Sequence, residues 1–259
     1  APTSFQSLCR TIEVFLTTSA IRWWSLTTSE EWTLTRSRTC LKGSTLSIRL
    51  AICTPSAGFV RVEFAESLAR LQRSLQIDNN CKVTDQKFFY ICGSVIPYNR
   101  QWCVDQAMQW GATHVLFLDD DMAFRPEVVK QLLKSHKLPI VAANCVKRVY
   151  PLTFMALDFA GQEVKSDDAA TGIEEVMLAG NSVILIRMEV FRKVPKPWFA
   201  FPYIPAEDNF ETEDYFFQRR AREAGYATFV DHDASKGVVH IGAHNFNYND
   251  AFHLQKASK

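Results

Sequence analysis

From Leu46 onward the apolar and polar positions fall into two alternating rhythms. Short apolar runs bounded by small or polar residues read as strands: LSIRLAIC from 46, FFYICG from 88, VLFL from 115, LPIVAANCV from 138, then ATFVD and GVVHIG. Between them apolar residues recur at helical spacing. VEFAESLARLQRSL places Phe64, Leu68, Leu71 and Leu75 on one face behind an acidic first turn. RQWCVDQAMQWG turns Trp102, Ala107 and Met108 inward and stops at Gly111. Pro126 opens PEVVKQLLKSHK as a first-turn proline. ETEDYFFQRRAREAG is a helix over 211–225 with Thr212 as cap, Phe216, Phe217, Ala221 and Ala224 as its buried face, and Gly225 as its end. Strand and helix alternate from 46 to 150, which predicts an α/β fold with a largely parallel sheet and crossover helices.

Other stretches are less regular. EEVMLAGNSVILIRMEVF holds two apolar runs broken at Gly180-Asn181-Ser182, then a helical start. The polar segment 156–175 reads as a surface excursion. VPKPWFAFPYIPAEDNF is an irregular, proline- and aromatic-rich stretch of the kind that stacks on sugars or bases, or forms a satellite core. Residues 1–45 show no sustained period and read as an N-terminal appendage without assigned chemistry, leaving 46–259 as the main domain.

Composition narrows the picture. The 259 residues carry 29 Lys and Arg against 28 Asp and Glu, so overall charge makes no case for nucleic acid or a membrane surface. No run reaches the ~18 uncharged apolar residues of a membrane span. Seven cysteines, odd in number and never in a C-x-x-C pair, fit a reducing compartment rather than a disulfide framework. The expectation is a soluble, cytoplasmic protein.

The chemistry concentrates at HVLFLDDDMAF, where an apolar strand ends in Asp119, Asp120 and Asp121. An Asp after a strand is often a turn former or a helix cap, which accounts for one or two carboxylates but not three. Adjacent carboxylates raise one another's pKa unless a cation offsets them, so the triplet reads as a metal site at the carboxyl end of a sheet. Thr54, Pro55 and Ser56 are expected in a loop of small residues after the first strand, open to close approach by a nucleotide. Asn99 and Arg100 are expected at a helix entrance, a natural place for phosphate. Lys147-Arg148 follow the 138–146 strand, and His240 ends the last apolar run before Gly242, with His244 as a nearby competitor.

A strand-loop with Thr54-Pro55-Ser56, then FLDDDM, AGNSVILIRMEVF, EDYFFQRRAREAGY and VVHIG, in that order, resembles GT-A-fold glycosyltransferases. The likeness is to family-two-like enzymes of bacteria, phages and large viruses, and covers about residues 46–246. It implies a GT-A (nucleotide-diphospho-sugar transferase) fold with a mostly parallel sheet flanked by helices. It also implies a nucleotide-sugar donor (a UDP- or GDP-sugar) and an acceptor that is a glycan or a modified base in phage or viral DNA. For a phage or viral chain the compartment would be the host cytoplasm. On this resemblance Asp119 and Asp121, with His240, would hold Mn²⁺ or Mg²⁺ on the donor diphosphate, with Asp120 beside the donor. Asp214 would take the acceptor's proton, with Glu213 next to it. Thr54, Pro55 and Ser56 would line the nucleotide, Asn99 and Arg100 the diphosphate, and Gly180-Asn181 the sugar. Arg219, Arg220 and Arg222 would touch phosphates of a DNA acceptor, or simply form the solvated face of their helix. Asn181-Ser182 stand where such enzymes often have a second Gly.

Two other classes compete. A haloacid-dehalogenase-like phosphatase also places D-x-D after a strand, with the first Asp as nucleophile. Such enzymes usually carry Thr or Val two residues after the second Asp, where this chain has Ala123. A non-catalytic module that holds a nucleotide or glycan is the other alternative.

Overall fold

Strand β1 (Ile48–Ser56) opens the domain, and its side chains divide by parity: Leu50 and Ile52 go to one face of the sheet, Ala51 and Cys53 to the other. The fold is that of a computed structural model, which describes residues 47–77, 82–242 and 245–249. The appendage expected over 1–45 and the competing His244 lie outside the described residues.

In chain order β1 is followed by α1 (Val62–Ile77), β2 (Val83–Cys92), α2 (Ile96–Trp110), β3 (His114–Leu118), β4 (Met122–Phe124), α3 (Pro126–Lys134) and β5 (Ile140–Ala142). Then come β6 (Ile173–Val176), β7 (Val183–Arg187), α4 (Met188–Lys193), and a two-residue pair, β8 (Tyr203–Ile204) with β9 (Asn209–Phe210). The chain continues through α5 (Glu213–Glu223), β10 (Thr228–Asp231), α6 (His232–Ser235), β11 (Val238–Ile241) and β12 (Asn245–Asn247). The predicted helices thus form, with Pro97 and Pro126 in the first turns of α2 and α3, where a missing N–H costs nothing. Gly111 ends α2 at φ 80°, a left-handed position that glycine adopts without steric cost.

Seven strands form the main sheet in the order β2-β1-β3-β7-β5-β10-β6. The mostly parallel sheet expected from strand–helix alternation and from the resemblance is not what forms. β1 pairs parallel with β2 and β3, and β10 with β5. β7 runs antiparallel to both β3 and β5, and β6 antiparallel to β10, so half of the pairings are antiparallel and the sheet is mixed. The physical reason is that β7 sits mid-sheet, covered on both faces. Its run Val183–Ile186 is wholly buried and reads as the continuous apolar pattern of a parallel strand, although burial carries no information on direction.

Both faces are packed. Val115, Phe117, Ile184 and Ile186 meet α2, α4 and α5 through Cys103, Val104, Phe191 and Phe217, while Leu116, Leu118, Val183 and Leu185 meet α1 and α3 through Phe64, Leu71, Val129 and Leu132. All five β3 side chains are buried. Truncating Leu116 would cost about 2–5 kcal/mol. This central strand therefore delivers its last residue, and the acidic turn behind it, to a fixed place. A second, three-stranded sheet, β12-β11-β4, extends that turn outward. β4 pairs with β11 so that Met122 lies opposite His240, and Ile241 N–H donates to the Asp121 carbonyl at 2.7 Å.

Candidate functional site

The carboxyl ends of β1, β2, β3 and β5, the start of the reversed strand β7, and the first turns of α2 and α5 all meet at one edge of the sheet. Two of the expected placements need adjusting. Thr54, Pro55 and Ser56 are not loop residues: they are the last three of β1, opposite Tyr90, Ile91 and Cys92. Pro55 is tolerated because β3 pairs with β1 only as far as Cys53. Asn99 and Arg100 lie inside the early turns of α2, which begins at Ile96, and both are buried.

Arg100 is the hub. The residue is only 4% exposed, and its guanidinium donates Nε to Glu213 at 3.2 Å and Nη2 to Asp119 Oδ2 at 3.1 Å and lies 5.2 Å from the Phe117 ring. Burial alone would lower its pKa, but Asp119, Glu213 and Asp214 together hold it up. Asp119 is pushed up, first by burial and also by Asp121, while Arg100 pulls it back. Burial likewise raises Asp120, against the Ser56 hydroxyl bonded to it.

Asp121 behaves differently. Burial would raise it, but the hydrogen bond and charge of His240 and the charge of Arg148 outweigh burial and hold it below the usual carboxylate range. Its Oδ2 lies 2.8 Å from Arg148 Nη1 and 3.5 Å from His240 Nε2. The other ring nitrogen, Nδ1, is 2.9 Å from the Val146 carbonyl, which can only accept. Nδ1 therefore carries a proton, so the hydrogen bond to Asp121 uses a second one on Nε2; a cation placed between the two would instead meet the Nε2 lone pair, the arrangement found around metal-binding histidines.

Asp214, in the first turn of α5, is raised by burial and then by its neighbour Glu213. Its Oδ1 accepts from the Tyr215 N–H at 2.9 Å and from the Thr212 hydroxyl. Thr212 is the N-cap by position, but its hydroxyl serves Asp214 instead of a helix N–H. The buried face of α5 is Phe217, Gln218 and Ala221, not Phe216 and Ala224. Gln218 accepts from Ala179 N–H at 2.8 Å and donates to the Ala179 carbonyl at 2.5 Å and to Asn181 at 3.3 Å, clamping the loop before β7. Gly180 in that loop is pressed against Met155, whose atoms would lie 2.8 Å from any Cβ there.

The structure thus joins Arg100 with Asp119 and Glu213, Asp121 with His240, Asp120 with Ser56, and Asn181 with Gln218. Asn99 braces the ends of β1 and β2 by donating to the Gly93 and Ser56 carbonyls. Asp119, Asp121 and His240 are not drawn into a single set of ligands. Among the described residues no group of three or more His, Cys, Asp or Glu is placed to hold a metal, because Arg100 engages Asp119 and Arg148 engages Asp121. Sequence reasoning gave Arg148 and Gln218 no role. Gln218 had a signal, since it stands one helical turn from Asp214 and so shares its face.

The hydrogen-bond ledger singles out this edge. Among the described residues ten buried side-chain polar atoms make no hydrogen bond, and six belong to residues expected here: Thr54 Oγ1, Asn99 Oδ1, Arg100 Nη1, Asp120 Oδ2, Asn181 Nδ2, and Asp119 Oδ1, which still lies 3.0 Å from Arg100 Nη2 as an ion pair. Buried polar groups are paired in about nine cases of ten, so such a concentration points to a site whose ligand supplies the missing partners. The donor set also suits a shared cation. Mg²⁺ is commonly held by one or two carboxylates together with substrate phosphates, and Asp121 with His240 supplies that kind of partial protein set. Five carboxylates here face two guanidinium groups, an acidic excess that a phosphorylated ligand would need a cation to overcome.

No family model matches the chain, and no curated protein matches it in sequence. Among solved structures, A197 from STIV is 16% identical at a TM-score of 0.52, over 75% of this chain and 86% of A197. S. aureus TarS residues 1–349, in complex with UDP-GlcNAc, is 16% identical over 71% of this chain and 55% of that one, at a TM-score of 0.41. Another TarS structure gives 0.39 over 35% of its length. The TarS overlays are too loose to argue from. No described helix is long and apolar enough to cross a membrane. At the level these likenesses reach, the chain shares its fold with A197 from STIV.

Proposed function

We propose that this domain is a glycosyltransferase that moves a sugar from a nucleotide-diphosphate donor to an acceptor hydroxyl with the help of a divalent cation. The observation that carries the reading is the convergence, at one sheet edge, of unpartnered buried polar atoms with Asp121–His240 and a half-buried Asp214 whose pKa is raised. Thr54, Asp120, Asn99 and Asn181 supply hydrogen-bonding capacity for the donor, and Arg100 keeps one unpartnered N–H nitrogen, Nη1, for its phosphates.

Asp121 and His240 would hold Mn²⁺ or Mg²⁺, whose charge, when bound, offsets that of the departing nucleoside diphosphate. Asp214 takes the acceptor's proton. Its raised pKa makes it a stronger base than an ordinary carboxylate, while Thr212 and Tyr215 hold its Oδ1 in place. Glu213, anchored on Arg100, ties this base to the donor side of the site. A phosphatase would need Asp119 as an unencumbered nucleophile, and that carboxylate is held by Arg100.

The test is a panel of UDP- and GDP-sugars with Mn²⁺, scored for donor hydrolysis and transfer. Turnover of at least one donor that Asp214→Asn removes, with donor binding kept, supports the reading. Phosphate release from generic phosphoesters without any nucleotide-sugar requirement would replace it with the phosphatase.

A further inference from the structure

Between the α4 region and α5 the chain makes an aromatic hairpin that the proposed reaction leaves unused. It departs from a buried anchor: Phe199 packs edge-on to Phe117 at 5.8 Å and against Phe217 at 5.1 Å. It then turns outward, leaving Phe201, Tyr203 and Phe210 48%, 49% and 60% exposed. Tyr203 and Phe210 are cross-strand partners in the β8–β9 pair, with ring centroids 5.3 Å apart and planes at 62°. The Tyr203 hydroxyl donates to Asp208, the turn residue at φ 48°. The two rings are therefore fixed by the ladder and by the turn, a preorganised apolar surface with polar edges. Phe210 precedes Asp214 by four residues, so the backbone of the platform's second strand lies within about 14 Å of that of the proposed base.

Charge decides what such a platform can take. Residues 198–218 contain Glu207, Asp208, Glu211, Glu213 and Asp214, and neither Lys nor Arg. The arginines that follow are engaged within the protein. Arg219 grips Glu211 with two nitrogens and Glu223 with the third, Arg220 donates to the Pro197 carbonyl, and Arg222 donates to the Val176 and Met177 carbonyls. A phosphodiester backbone binds where cations neutralise it, and this stretch would repel it. An uncharged pyranose offers what the hairpin can use: a C–H face for the rings and hydroxyls for the carboxylates.

We infer that the β8–β9 hairpin is the acceptor platform and that the acceptor is an uncharged glycan, stacked on Tyr203 and Phe210 with one hydroxyl presented to Asp214. The inference rests on the glycosyltransferase reading and goes beyond it by naming the acceptor class. To test it, the full chain is titrated with maltotetraose, cellotetraose, mannotetraose and chitotetraose, followed by saturation-transfer NMR. Fluorescent UDP and GDP, with Mn²⁺, and a short DNA duplex are titrated in parallel. At least one tetrasaccharide is expected to bind. Tyr203→Ala and Phe210→Ala should weaken it about tenfold, with Tyr203→Phe close to the parent and nucleotide binding unchanged in all three. Both residues are half-exposed or more, and circular dichroism verifies that the variants fold. Nucleotide binding without any tetrasaccharide binding overturns the inference, as does saccharide binding indifferent to both alanine variants, or DNA binding in its place. Loss of nucleotide binding in the parent chain would instead overturn the underlying functional reading.

Discussion

Replacing Arg100 with Gln removes the one cation that joins the donor side of the site to α5. Arg100 is almost wholly buried and serves Asp119 and Glu213, whose side chains are themselves only 20% and 13% exposed. Breaking a buried ion pair by removing one partner costs about 3–5 kcal/mol, because the other is left charged in a poor solvent. A domain of this size loses about 2–4 °C of melting temperature per kcal/mol, so the variant should melt about 6–20 °C lower near neutral pH. The pH dependence is a sharper check. Asp119 and Asp214 already titrate above the ordinary carboxylate range through burial, and Arg100 draws both down. Without Arg100 both rise further. A carboxyl whose folded pKa is raised supports the fold fully below its unfolded value, near 3.9 for Asp, and that support is lost as pH rises through the folded pKa. The deficit of Arg100→Gln relative to the parent should therefore be largest at about pH 7 and shrink toward about pH 4–5. Arg100→Lys should recover only part of it, since one ammonium cannot reproduce the two-sided fork. Thermal melts followed by circular dichroism at the two pH values decide the matter. A drop below about 3 °C, or an equal drop at both pH values, would refute the claim that this pair is buried and charged.

Other outcomes follow from the same geometry. Asp214→Asn should lower transfer at least about a hundredfold with nucleotide binding retained, as measured by product formation beside a fluorescence titration. Glu213→Gln removes a like charge that raises Asp214, so the acid limb of the pH–rate profile should move to lower pH; no movement would separate Glu213 from the base. Asp121→Asn should abolish the thermal shift given by Mn²⁺ plus a nucleoside diphosphate. Gln218→Leu leaves the Ala179 N–H and carbonyl unpaired, costing about 1–3 kcal/mol per group in chemical denaturation, and should raise the donor KM by freeing Asn181.

How much of this was legible in the sequence depends on which physical quantity each feature reports. β3 and its acidic turn were readable because four buried apolar residues, Val115–Leu118, end abruptly in carboxylates, a local pattern. The helices were readable from periodicity and from Pro126 and Gly111 at their ends, but α2 starts before its apolar spacing shows, at Ile96, with Pro97 in its first turn. The direction of β7 was not, since a strand covered on both faces shows the same apolar run whichever way it points. Thr54–Ser56 looked like a loop because small residues and a proline seldom fill a strand. They do so here because β2 alone continues alongside them. The partners of the carboxylates were least visible. Arg100–Glu213 spans 113 residues and His240–Val146 spans 94, so only the tertiary fold tells which cation meets which Asp.

The most direct measurement is calorimetric titration of UDP and GDP into the full chain, with and without Mn²⁺, and into its Asp121→Asn and His240→Ala variants. The account predicts binding of at least one nucleoside diphosphate that strengthens when Mn²⁺ is present, with the Mn²⁺-dependent part lost in both variants. Binding that ignores the cation in parent and variants alike, or no binding of either nucleotide, would contradict it.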